Sequence, residues 1–190
     1  MASEELAQGE MPTIEIVPNG DMYLLLSDCR LLVSSAIMSI SSPIFAKMLN
    51  SDFKEGLKNH QRDEKPVILL PDDDAQAITK ICQIFHHQVK DTSSVGSSKI
   101  KTIAQLSDKY DCVDVVKSWI RLWFHEELEQ FDIGKTNDLF HSAYDLDLPN
   151  EFSKLTWNLM KEASTAQILS TVISDFNVKD LEASQSFSNH

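Results

Sequence analysis

At 190 residues the chain has room for one domain, or one domain with a helical appendage, which excludes large barrels and multidomain enzymes. Hydrophobic residues at 42% and charged residues at 24% are ordinary globular proportions, so the chain should fold around a core. Seventeen Lys plus Arg against 29 Asp plus Glu leave a formal net charge of −12, which repels phosphate backbones and anionic lipid and removes nucleic acid and membrane surfaces from the expected partners.

Residues 1–12 are acidic and polar, read as a disordered lead-in, and carry no apolar signal region. Thr13 to Val17 alternates weakly, as an edge strand does, and Pro18-Asn19-Gly20 signals a turn. Asp21 to Leu26 is apolar enough for a buried strand. Ser27-Asp28 turns the chain into Cys29 to Val33, completing a hairpin whose second strand leads into helical periodicity. Ser34 or Ser35 caps a first short helix. Ser42-Pro43, an N-cap followed by proline at the first helical position, starts a second that carries Phe45, Met48 and Leu49. Asn50 to Lys65 is polar apart from Phe53 and Leu57 and reads as an exposed connection. Val67 to Leu70 is a further strand, and Asp72-Asp73-Asp74 supplies acidic groups for a helix N-terminus. Ile78, Ile81, Cys82 and Phe85 follow at i, i+3, i+4, i+7. Ile100, Ile103, Ala104, Leu106 and Tyr110 form the next helical face, ending near Asp111-Cys112. The helix from about Asp114 to Glu129 is apolar on more than one face and needs cover from two sides. Leu139 to Tyr144, then Phe152, Leu155 and Leu159, then Ile168, Leu169, Val172 and Ile173 after Ser164-x-x-Gln167 provide helical candidates for it. The last residues, 177–190, read as a frayed tail.

Catalytic signatures are sparse. The five glycines are scattered, which is wrong for a phosphate-cradling loop, and there is no C-x-x-C pair, H-E-x-x-H helix or G-x-S-x-G elbow. No catalytic residue, cofactor or metal is expected. His86-His87 reads as imidazoles at the negative end of a helix rather than as metal ligands, and His125-Glu126-Glu127 as a wet helix face. Trp119 and Trp123, four apart, read as core or, if uncovered, as a groove for a partner helix. Cys29, Cys82 and Cys112, widely spaced and beside apolar runs, read as reduced thiols of an intracellular protein of cytoplasm, nucleus or both.

The segments G-D-M-Y-L-L-L-S, L-L-V-S-S-A-I-M-S-I-S-S-P-I-F-A-K-M-L, F-K-E-G, V-I-L-L-P-D-D-D and L-S-D-K-Y-D-C, in this order, resemble a BTB/POZ domain over about Gly20 to Leu128. Ser42, Phe45, Met48 and Leu49 are the most specific part. The likeness is greatest to short stand-alone BTB proteins of fungi. It implies an α/β (α+β) fold, a small sheet flanked by short helices with a C-terminal all-helical extension: the BTB domain over 13–130 and the extension over 131–176.

The resemblance also implies an interaction module that self-associates and, in many members, docks a cullin so that a ubiquitin ligase assembles on a substrate. The docking pattern of such adaptors, a large apolar residue, any residue, then Glu after the second helix, is matched by Phe53-Lys54-Glu55, with Met48 and Leu49 as support. An exposed Phe can fill a partner pocket while the carboxylate fixes register. The competing reading has Phe53 folded back on Met48 and Leu49 with Glu55 merely solvated. Ser34-Ser35 stands where many metazoan members have a charged or His-Lys pair, and few residues precede Thr13; both departures count against a strand-exchanged dimer. They leave Ile14 and Ile16, on an edge strand, as the self-association candidates. No substrate-recognition module follows the extension, so a target would be held by the BTB surface, by the C-terminal helices or by a third protein. Two alternatives stay open: a homo-oligomeric scaffold or transcriptional co-regulator without a ligase role, and a small hydrolase or ligand-binding protein joining His86, His87 or His125 to Cys82 or Cys112.

Overall fold

A computed structural model describes residues 11–50, 65–91, 95–129 and 132–162. The expected hairpin is present as β2 (Met22–Leu25) and β3 (Arg30–Val33), paired antiparallel and closed by the Leu26 N–H donating to the Cys29 carbonyl at 2.9 Å. Along β2 the inward residues Met22 and Leu24 are fully buried, while β3 buries Leu31, Leu32 and Val33 in succession, as a central strand does. β1 (Thr13–Glu15) joins β3 in parallel and β4 (Val67–Leu69) joins β2 in parallel, giving a mixed sheet of order β1-β3-β2-β4. Gly20 lies where a Cβ would sit 2.6 Å from Leu32 Cγ and 2.9 Å from the Val33 carbonyl oxygen, so any side chain there would push β3 aside.

Seven α-helices accompany the sheet among the described residues: α1 (Ser35–Ser41), α2 (Pro43–Leu49), α3 (Ala75–Phe85), α4 (Ser97–Lys109), α5 (Val113–Glu129), α6 (Thr136–Asp145) and α7 (Pro149–Glu162). The α/β (α+β) class is the observed one. α3, α4 and α6 end alike, on His87, Asp111 and Asp147, each with φ near +50°. In each case the following N–H returns to a carbonyl five residues back: Gln88 to Gln83, Cys112 to Ser107, Leu148 to Ala143. These closures satisfy last-turn carbonyls without glycine.

The chain divides into two compact units, one within Met1–Thr92 and Gln105–Ser118, the other within Ser93–Ala104 and Trp119–His190. The first holds the sheet, α1, α2 and α3. In the second, α6 and α7 meet through Leu139, Ala143, Leu155 and Leu159, all buried, and through Phe140 and Phe152, edge to face at 5.0 Å. Lys101 bonds Asp138 there at 2.9 Å. The apolar face of α5 is narrower than its sequence suggests: Val116, Ile120, Trp123 and Phe124 are buried, whereas Val115 and Leu122 keep about two fifths of their surface. Residues 164–173, expected to add a further helix, and the expected disordered and frayed ends lie outside the described residues.

Candidate functional site

The residues that carry the family resemblance converge on one cluster in the first unit. Ser42 caps α2, its Oγ accepting from the Phe45 N–H at 3.1 Å, and the same hydroxyl donates to the Tyr110 carbonyl at 2.5 Å. The Phe45 ring stacks on the Tyr110 ring, centroids 4.6 Å apart and planes 12° from parallel. The Tyr110 hydroxyl in turn donates to Asp73, whose other carboxyl oxygen receives Lys109 Nζ at 2.6 Å. Ser42, Phe45, Tyr110 and Asp73 are all buried, so segments far apart in the chain meet at one anchor beneath α2. Burial, reinforced by the Asp73 carboxyl, pushes the Tyr110 phenol well above its usual range and keeps it a donor.

The three acidic residues before α3, expected alike to serve its N-terminus, differ in role. Only Asp74 caps, accepting from the Ala77 N–H at 2.8 Å; Asp73 holds Tyr110 instead. Met48 and Leu49 form the last turn of α2 and are half-buried. Phe53 and Glu55 lie outside the described residues. The anchor therefore fixes the helix from which their segment departs.

Two more polar contacts secure α1. Its N-cap, Ser34, makes no capping bond with its own side chain; Asp21 does that work from the strand side, accepting from the Ser35 N–H and the Ser35 hydroxyl, both at 2.6 Å. Burial raises the Asp21 pKa, but these Ser35 hydrogen bonds outweigh it and leave the carboxyl below its ordinary value. His86, just past α3, is likewise structural. Its Nε2 accepts from the Ser34 N–H at 3.0 Å and Nδ1 faces the Cys82 carbonyl at 2.7 Å, which sets the neutral tautomer with the proton on Nδ1.

Burial holds the His86 pKa below its ordinary 6.5. The unfolded chain takes up this proton near that value and the folded chain resists it, so the His86 contribution to stability is complete above about pH 6.5 and is lost as pH falls through the folded value. Urea midpoints measured from about pH 7.5 down to about pH 5.5 should fall for the wild type and fall less steeply for His86→Gln. Equal slopes would contradict the assignment.

Among the described residues, the thiols and imidazoles that a hydrolase could draw on are held in structural or solvated roles. Cys82 and Cys112 are buried; burial pushes Cys112 up to about 12 and Cys82 higher still, the reverse of an activated thiol. Both ring nitrogens of His86 are engaged, and His125 is exposed, 3.6 Å from Glu129 one helical turn away. No cluster of three or more His, Cys, Asp or Glu able to hold a metal ion occurs among the described residues. A maleimide reagent should label none of the three cysteines in the native protein and all three after denaturation; rapid native labelling of Cys82 or Cys112 would refute this packing.

The outer surface carries apolar side chains in several places. Ile40 on α1 is 86% exposed and Leu69 on β4 is 61% exposed. On α7, Trp157 and Met160 are each more than half exposed, whereas Trp123 is fully buried beside the half-buried Trp119. β1 is an edge strand with Ile14 part-exposed. Ile16 falls one residue past the strand and is buried, its N–H donated to the Leu32 carbonyl at 3.0 Å, so of that pair only Ile14 meets solvent. Beside Ile14 a groove of about 380 Å³ runs between β1 and α3, lined in part by Cys29, Gln76, Thr79 and Lys80. Among the described residues, no helix is long and apolar enough to cross a membrane. The family model described as BTB/POZ domain matches residues 19–122, and no curated protein matches the chain.

Proposed function

The chain belongs to the BTB/POZ family, whose domains mediate protein–protein interactions and dimerisation, and from that premise we propose that it is a non-catalytic adaptor linking a partner protein to a cullin-based ubiquitin ligase. In this reading Phe53 fills a pocket on the cullin, Glu55 fixes the register, and Met48 and Leu49 support them. The supporting observation is the anchor of Ser42, Phe45, Tyr110 and Asp73, which locks α2 immediately before the segment bearing Phe53-Lys54-Glu55. The reading keeps a BTB domain over 13–130 and a helical extension over 131–176, with a target held by the BTB surface, by the extension or by a third protein. It suits the short, stand-alone BTB proteins of fungi, working inside the cell. Purified chain mixed with a cullin N-terminal region should co-elute as a complex; separate elution at every concentration would overturn the proposal.

A second reading is favoured by the open edge of β1 and the exposed Ile14: a self-associating scaffold or transcriptional co-regulator without a ligase role. Here Ile14 is the contact and the buried Ile16 secures the strand behind it. Sedimentation over a concentration series separates the two readings, because a chain that stays monomeric excludes the scaffold and leaves the adaptor standing.

A further inference from the structure

We propose that residues 168–176, which lie outside the described residues, dock as an antiparallel helix on the outward face of α7 and cover Trp157 and Met160. The contact is independent of cullin binding and of self-association. α7 is two-sided: Leu155 and Leu159 are buried, and Phe152 packs edge to face against Phe140 of α6. On the opposite side Trp157 and Met160 are each 58% exposed, and Lys161 Nζ stands over the Trp157 ring at 5.3 Å. At 3.6 residues per turn, Ser153, Lys154, Trp157, Met160 and Lys161 share about a third of the helix circumference. That strip holds an indole, a thioether and two ammonium groups but no carboxylate, on a chain of net charge −12. A large apolar side chain beside a second one marks a face that another element covers. Its complement is a helix with aliphatic side chains along the middle and a carboxylate at the border.

The stretch that follows α7 has that composition. Only residues 163–167 separate Glu162 from Ile168, within the span of about two to eight residues that joins neighbouring antiparallel helices. Ser164-x-x-Gln167 has the spacing of a capping box, which starts a helix near Thr165. Ile168, Leu169, Val172, Ile173 and Phe176 then recur at i, i+1, i+4, i+5, i+8, the pattern of one helical face, with Asp175 at its border. Two helices rise by the same step per residue, so an antiparallel return keeps the sum of facing residue numbers constant. A single register sets Leu169 level with Met160, Val172 with Trp157 and Asp175 with Lys154. Apolar groups meet along the middle and a carboxylate meets an ammonium at the edge. A tethered segment also reaches this face at a far higher effective concentration than a separate molecule does.

The test labels Met160→Cys in the full-length native chain with a maleimide reagent. Cys29, Cys82 and Cys112 are buried and do not compete. Ser98→Cys, at an exposed position of α4, gives the rate of an open thiol. Met160→Cys should react roughly tenfold or more slowly than Ser98→Cys, because the reagent waits for the segment to lift away. Adding Leu169→Asp and Val172→Asp should bring its rate up to that of Ser98→Cys. Asp175→Lys should open the face in part, and Lys154→Glu should close it again, a rescue that a mere loss of folding would not give. Equal rates for Met160→Cys and Ser98→Cys, or no acceleration by the two aspartates, would overturn the contact. Protection that grows with protein concentration would assign the cover to a second copy and overturn it likewise.

Discussion

Tyr110→Ala lowers the unfolding free energy by about 3–5 kcal/mol, the usual cost of truncating a large buried aromatic. The ring is 1% exposed and stacks on Phe45, so its removal leaves a cavity beneath α2. The hydroxyl adds a second penalty, because Asp73 is buried and loses one of its two partners, keeping only Lys109. Tyr110→Phe separates the contributions: it keeps the stack, removes the hydrogen bond and should cost about 1–3 kcal/mol. Asp73→Ala should have little further effect in the Tyr110→Phe background if the two groups act as a pair, a coupling that a double-mutant cycle reads directly. Chemical denaturation of the wild type and the four variants is the measurement. A loss below about 1 kcal/mol for Tyr110→Ala would show that the anchor does not hold α2 in place.

Most of the fold was legible from local patterns. Apolar runs bounded by turn residues marked β2, β3 and β4, and Ser42-Pro43 marked the break between α1 and α2, because capping chemistry depends on residues three positions apart. The end of α4 was legible as Asp111-Cys112, although the closing residue there is an aspartate in the left-handed region. The polar contacts that organise the first unit were not legible. Asp21 bonds Ser35 14 residues away, Tyr110 bonds Asp73 37 away, and Ser34 bonds His86 52 away. A single sequence shows the donor and the acceptor in each case, but the pairing is made by the tertiary fold. Asp73 illustrates the difficulty: it stands between two other acidic residues at a helix start, where all three look alike, and only burial at 7% exposure distinguishes it. The width of the α5 face misled for a related reason, since apolar content does not say which residues find a neighbour.

Phe53→Ala should weaken binding to a cullin N-terminal region by about 2 kcal/mol or more, roughly thirtyfold, the loss expected when an aromatic anchor leaves its pocket. Glu55→Lys should add repulsion where the carboxylate met its complement, slowing association most at low ionic strength. Urea midpoints of both variants, compared with that of the wild type, distinguish lost binding from a lost fold. Isothermal titration of that cullin region with the wild type, Phe53→Ala and Glu55→Lys tests the adaptor reading most directly. The account predicts measurable binding by the wild type and a severe loss in both variants; undiminished affinity in both would contradict it.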